Sequence, residues 1–201
     1  MRMNSVTANL TKSAALLLLA FALRPSMALA ADYKIDPAHS SASFSVRHLL
    51  ITNVRGEFKN INGTISYDPA NLATAKVEAT IDISTVNTGE PARDGHLKTP
   101  DFFDLAKFAT MTFKSKQFYK DAGVVKVKGD LTIHGVTKEV VLTLDGPSQE
   151  VKDPWGNTRI GTSATTKLNR QDFGVSGGGP AVGDDISVTI DLEAVKATPA
   201  K

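Results

Sequence analysis

An all-β fold follows from three features: how apolar and polar residues alternate, how regularly that alternation recurs, and how little helical periodicity interrupts it. In Ala75-Lys76-Val77-Glu78-Ala79-Thr80-Ile81-Asp82-Ile83 the two classes alternate without a miss, the period-2 signature of a strand with one dry and one wet face. The pattern returns in Ser41–His48, where Phe44, Val46 and His48 share a face, and again over 186–194. Between these, strands are expected over 57–67, 110–118, Val124–Ile133, 139–144 and 159–167. Gly135 with Val136-Thr137-Lys138 is expected to join two of them as a short hairpin. Strands at this spacing fit a sandwich or a barrel rather than an α/β fold.

Ahead of the strands lies a different kind of sequence. Arg2 and Lys12 give a positive start without an acid, 14–23 is an apolar run, and Ala28-Leu29-Ala30 follows Arg24-Pro25 as a small-x-small cleavage site. The run is shorter than the roughly 20 residues that span a bilayer. Residues 1–30 are therefore expected to be a signal peptide cut within one residue of Ala30, and the protein to be periplasmic. Residues 31–201 remain as one domain, and roughly 170 residues suffice to bury a core without staples. The leader carries three basic residues, so the chain's net charge of +2 belongs to it and the rest is near neutral. No basic patch with interleaved aromatics remains to suggest nucleic acid. The absence of cysteine excludes disulfides, thiol nucleophiles, Fe–S clusters and a lipid-modified N-terminal cysteine.

Two stretches break the strand rhythm. In 87–105, Pro91 precedes Ala92-Arg93-Asp94-Gly95-His96-Leu97-Lys98, which reads as a short helix with proline in its first turn. Gly177-Gly178-Gly179-Pro180 marks 174–185 as a loop, and Thr198-Pro199-Ala200-Lys201 reads as a disordered end. The dry faces carry many small residues: Ala42, Ala75, Ala79, Gly129, Gly161, Ala164 and Ala194. Small inward residues either leave a cavity in a closed barrel or let two sheets pack tightly, and composition leaves both open.

Six motifs in order carry a resemblance over essentially the whole of 31–201. They are Tyr33-Lys34-Ile35-Asp36-Pro37-Ala38-His39-Ser40, Phe44-Ser45-Val46-Arg47-His48-Leu49 and Val54-Arg55-Gly56-Glu57-Phe58. Then come Arg93-Asp94-Gly95-His96-Leu97-Lys98 with Asp101-Phe102-Phe103-Asp104, the hairpin Gly129-Asp130-Leu131-Thr132-Ile133-His134-Gly135-Val136-Thr137-Lys138, and Asn169-Arg170-Gln171-Asp172-Phe173-Gly174. With these the chain resembles the YceI-like polyisoprenoid-binding family. It departs at Phe108-Ala109, where that family often has Tyr-Pro. The resemblance implies a lipocalin-like antiparallel β-barrel of about eight strands with one or two short helices. It also implies an apolar tunnel that holds an isoprenoid lipid, a polyprenyl phosphate or isoprenoid quinone, for carriage or sequestration without catalysis.

On that reading Phe44, Val46, His48, Ile81, Val188 and Ile190 line the tunnel, and Arg93, Asp94, His96 and Arg170 are the candidates to meet the lipid head group. Each polar candidate has a structural alternative. His48 also reads as a satisfied core histidine. Arg93 with Asp94, and Arg170 with Asp172, also read as pairs that fasten the short helix and a turn. Two other functions stay open: a filled barrel serving structure, stress response or protein interaction, and a hydrolase using His48, Asp94 and His96. Against the latter, G-x-S-x-G and H-E-x-x-H are missing, and the Gly-rich 177–183 lacks the Lys-[Ser/Thr] of a phosphate-binding loop. His39, His48, His96 and His134 have no metal-ligand spacing, so neither metal nor cofactor is expected. The sequence allows transient membrane contact and a homodimer but names no edge for it.

Overall fold

The computed structural model describes residues 30–198, so all of the expected signal peptide but Ala30, and the last three residues, lie outside the described part. Among the described residues eleven strand segments run antiparallel: β1 (Ala31–Ile35), β2 (Ser41–His48), β3 (Thr52–Phe58), β4 (Ile61–Tyr67), β5 (Lys76–Asp82), β6 (Thr110–Asp121), β7 (Val124–Ile133), β8 (Val136–Asp145), β9 (Val151–Lys152), β10 (Thr158–Asn169) and β11 (Val182–Lys196). Among the described residues one α-helix, α1 (Pro91–Leu97), lies between β5 and β6, with Pro91 in its first turn and the Glu90 carboxylate accepting from the Ala92 amide at 3.2 Å.

The sheet closes. β11 pairs with β10 on one edge, and on the other with β2 and then β1. From β1 the hydrogen bonding passes through β4, β5, β6, β7 and β8 back to β10. The ring therefore holds eight strands. β2 and β3 extend two of them beyond it, and β9 is a short flap on β10.

The expected single strand over 57–67 is two, broken at Lys59-Asn60, where Asn60 is left-handed at φ 58°. The cause is the facing strand. Asp36-Pro37 interrupts it with a 3₁₀ turn over Pro37–His39, so β1 pairs with β4 while β2 pairs with β3. The expected hairpin at 135–138 is tighter: His134 and Gly135 make the turn at φ 51° and 74°, and Val136 already belongs to β8. The expected loop over 174–185 ends early, because a 3₁₀ turn at Gly179–Ala181 delivers the chain into β11 at Val182.

Closure sets where the core sits. Tyr33, Ile35, Ile61 and Ile83 are fully buried. Phe58 packs edge-on against Phe103 with centroids 5.5 Å apart and lies tilted against Phe44 at 5.6 Å. Such ring pairs contribute about 0.5–1.5 kcal/mol beyond the area they bury. The small residues leave room for these rings: a Cβ on Gly129 would stand 2.5 Å from Phe113, and one on Gly56 as close to Phe44.

Candidate functional site: an apolar cavity along the barrel

Strand alternation turns one side chain in two toward the barrel axis, and the inward set encloses a cavity of about 230 Å³ with an apolar wall. An apolar cavity of about 150 Å³ already stays dry and takes up apolar ligands. Along β11 the wall runs from Val182 to Leu192, ten residue steps or roughly 33 Å of strand. The cavity is therefore long and narrow. Its parity switches once, on β6: Met111 and Phe113 face inward, then Phe118 does. A bulge between Ser115 and Gln117 inserts the extra residue that flips the face.

The structure places Phe44, Val46, Ile81, Val188 and Ile190 on this wall. His48 is not on it. It shares the parity of Phe44 and Val46, but it pairs with Val182 at the far end of β2, beyond an irregularity in β11 between Val182 and Ile186. The extra residues belong to β11, while β2 stays paired with β3 through His48 and Thr52, so His48 keeps the parity of Val46 but ends its strand outside the cavity lining.

The expected head-group residues are held elsewhere. Arg93 is exposed and donates from Nε to Thr88 Oγ1 at 2.8 Å and from Nη2 to Thr88 O at 3.0 Å. The Asp94 carboxylate accepts from the Thr88 amide at 2.8 Å and from its hydroxyl at 2.5 Å. Both thus tie α1 to the strand-exit segment before it. His96 stands 3.2 Å from Asp101 Oδ2 and edge-on to Phe102. Asp94 is thus engaged by Thr88 and His96 by Asp101, not by each other. The helix touches the cavity through Leu97 instead.

Arg170 alone of the four lines the cavity, and its guanidinium faces away from it. Nε donates to Gly183 O at 3.0 Å, Nη1 to Val175 O at 2.8 Å and Gly177 O at 2.7 Å, and Nη2 to Val182 O at 2.9 Å, with Asp184 Oδ1 at 3.1 Å. The planar fork suits this role, because five donors in fixed directions meet carbonyls from one looped segment. Among the described residues no buried side-chain nitrogen or oxygen lacks a partner, so the cavity offers no vacant polar group to a ligand.

An ion network missed by the sequence reading sits on the outer wall. Arg159 Nη1 reaches Asp36 Oδ2 at 2.7 Å and Glu193 Oε1 at 2.5 Å, and its Nε reaches Asp153 Oδ2 at 2.8 Å. Asp36, His39 and Glu193 converge closely enough to suggest metal ligands, but the guanidinium already supplies the positive charge there. The signal was present in the motif carrying Asp36 and His39; its partners lie over a hundred residues away. The hydrogen bonds from Arg159 and then His39 hold the Asp36 carboxyl down at about 2. For Asp153, burial pushes the carboxyl up, but hydrogen bonds from Arg159 and Asn157 outweigh it and bring it to about 2.

Because both folded values lie below the ordinary 3.8, the stability these groups lend is complete above that pH and is lost as pH falls through about 2. The urea midpoint of the protein should therefore drop on acidification from pH 5 toward pH 2, and Arg159→Gln should flatten that drop. An equally steep drop in the variant would assign it to other carboxylates.

Known proteins fit this geometry. A model of the YceI-like domain matches residues 33–194. The chain is 42% identical over 156 residues to a UPF0312 protein of Vibrio cholerae, covering 75% of this chain and 81% of the relative. In structure it is similar to the Campylobacter jejuni YceI protein, with 37% identity, a TM-score of 0.67, and coverage of 76% of this chain and 90% of that one. It shares its fold with a polyisoprenoid binding domain from Saccharophagus degradans at 18% identity and a TM-score of 0.63, covering 84% of this chain and 99% of that one.

Proposed function

The chain belongs to the YceI-like family, and on that premise we propose that its barrel holds a long isoprenoid lipid in the periplasm, for carriage or sequestration, and catalyses no reaction. The long, narrow, wholly apolar cavity carries this reading. A linear hydrocarbon fills such a space, and each buried methylene gains about 0.8 kcal/mol. A few isoprene units therefore offset much of the several kcal/mol that association costs. The name of the Saccharophagus degradans neighbour supports the same ligand class.

Tail recognition is the natural mode for this wall. Arg93, Asp94 and His96 stand outside the cavity, and Arg170 is committed to backbone carbonyls. A polyprenyl phosphate and an isoprenoid quinone both satisfy it. The periplasmic setting is supported by the charged start, the apolar run and Ala28-Leu29-Ala30. It is also supported by β1, which begins at Ala31 and so survives whole after a cut at Ala30.

One experiment tests ligand and address together. Protein purified from the periplasmic fraction is weighed intact and its organic extract analysed by mass spectrometry. The expected result is a chain starting within one residue of Ala31 and a prenyl lipid in the extract. An extract without prenyl lipid refutes the ligand, and a soluble chain retaining Met1 refutes the address.

A further inference from the structure

We propose that the tip of the β2–β3 hairpin, Leu49-Leu50-Ile51, docks the barrel onto the surface of an anionic phospholipid bilayer. Its three side chains are 55%, 75% and 78% exposed. Among the described residues the other large apolar side chains in water, Val124, Val141, Val151 and Trp155, are dispersed along the chain.

Turn chemistry gives this run its weight. The Ile51 amide donates to His48 O at 3.1 Å, so Leu49 and Leu50 are the central residues of the turn, and both are left-handed, at φ 49° and 61°. That backbone suits Asn-Gly and strains a residue with a bulky side chain. The chain respects the rule elsewhere: Ala122-Gly123 and His134-Gly135 each put glycine second, at φ 85° and 74°. At 49–50 the fold carries two strained leucines that bury little. Stability does not account for them; contact with an apolar phase does.

Charge selects the phase. Arg47 and Arg55 are exposed on the two strands behind the tip. Arg47 reaches Asn53 at 3.4 Å, and neither arginine is in an ion pair among the described residues. On the adjoining strand Asp184 and Asp185 are both exposed, and Asp184 is already engaged by Arg170 and Gln171. A convex aliphatic tip backed by two guanidiniums matches a bilayer, where the apolar side chains pass below the head groups and the cations meet phosphate. The tip also adjoins the cavity. Leu49 donates from its amide to Ala181 O at 2.8 Å, and the next residue, Val182, is on the cavity wall. Docking would bring that end of the cavity to the membrane. This purpose rests on the isoprenoid reading, whereas the docking itself does not require a loaded barrel.

The test is flotation of the purified periplasmic protein with vesicles of phosphatidylethanolamine and phosphatidylglycerol that contain no prenyl lipid. The wild type should float with them and much less with phosphatidylcholine. Leu49→Asn with Leu50→Gly should lose at least tenfold in vesicle partitioning while its thermal midpoint holds or rises, because the new turn relieves strain. Arg47→Gln with Arg55→Gln should lose binding to the anionic vesicles only. Trp155, the chain's one tryptophan, is a built-in control. It lies at the opposite end of the barrel, where β9 pairs with the start of β10 and that start pairs with the last residues of β11. Its emission should not move on vesicle addition, while Trp155→Phe with Leu50→Trp should shift to the blue.

A wild type that stays out of the floating fraction overturns the proposal. So does a turn variant that floats equally, a blue shift of Trp155 itself, or a dimer in light scattering that the turn variant dissolves. Prenyl-lipid content, measured separately in the extract, should be unchanged in the turn variant. Its absence from every sample would refute the proposed function without altering the flotation result.

Discussion

Arg170→Leu should lower the urea midpoint of the protein by about 2 M, the largest stability loss expected of any single replacement here. The leucine keeps the apolar stem against the cavity but removes every donor from Val175, Gly177, Val182 and Gly183 carbonyls. Arg170 is 6% exposed, so water cannot replace those donors without entering the wall. A buried acceptor left unsatisfied costs about 1–3 kcal/mol. With one carbonyl fully buried and three half-buried, the total is on the order of 3–5 kcal/mol. That is a large part of the 5–15 kcal/mol by which domains are stable. At a slope of about 1–3 kcal/mol per molar urea it gives the stated shift. Arg170→Lys should recover less than half, because an ammonium cannot reach four carbonyls from one planar fork. A shift below about 0.5 M in the leucine variant would mean that the 175–183 segment is held by its packing on Phe102 and not by the guanidinium.

Arg170 also marks the limit of what the sequence shows. Its acceptors are backbone carbonyls, which have no residue identity, so no pattern could have announced them; charge chemistry pointed to a lipid head group or to Asp172. Local order was far more legible. β2 and β7 occupy the spans their alternation marks, and Pro91 opens the helix. What escaped is what depends on partners distant in sequence. The break at Lys59-Asn60 exists because the facing strand breaks at Asp36-Pro37. Closure, which depends on β1 finding β11 with Tyr33 opposite Lys196, was expected from the family resemblance and not from the alternation. Alternation alone also gives the inward face for Phe44, Val46, Ile81, Val188 and Ile190, since a period of two survives any register. It fails where a bulge intervenes, which is why Phe118 was not foreseen on the wall, and it does not say where along a strand the lining stops, as at His48.

The second large effect concerns binding rather than stability. Val188 sits on the cavity wall at the middle of β11, opposite Phe44 on β2 and Thr166 on β10. Its side chain points into the long axis of the cavity, so Val188→Trp places an indole across the space a prenyl tail would thread. Displacing even three or four methylene-sized groups from the wall forfeits about 2.5–3 kcal/mol at roughly 0.8 kcal/mol each. At 1.4 kcal/mol per tenfold this is roughly a hundredfold in affinity. The barrel itself should survive, because the indole occupies existing empty volume rather than a packed core, and overpacking costs arise mainly where no void is present. Far-UV circular dichroism and the thermal midpoint should therefore stay close to wild type while prenyl lipid in the organic extract falls by at least tenfold. Val188→Ala is the counterpart: it widens the same point and should retain the lipid. A tryptophan variant that keeps full occupancy would show that the tail does not pass Val188. The ligand would then occupy only the part of the cavity between Phe118 and Leu192.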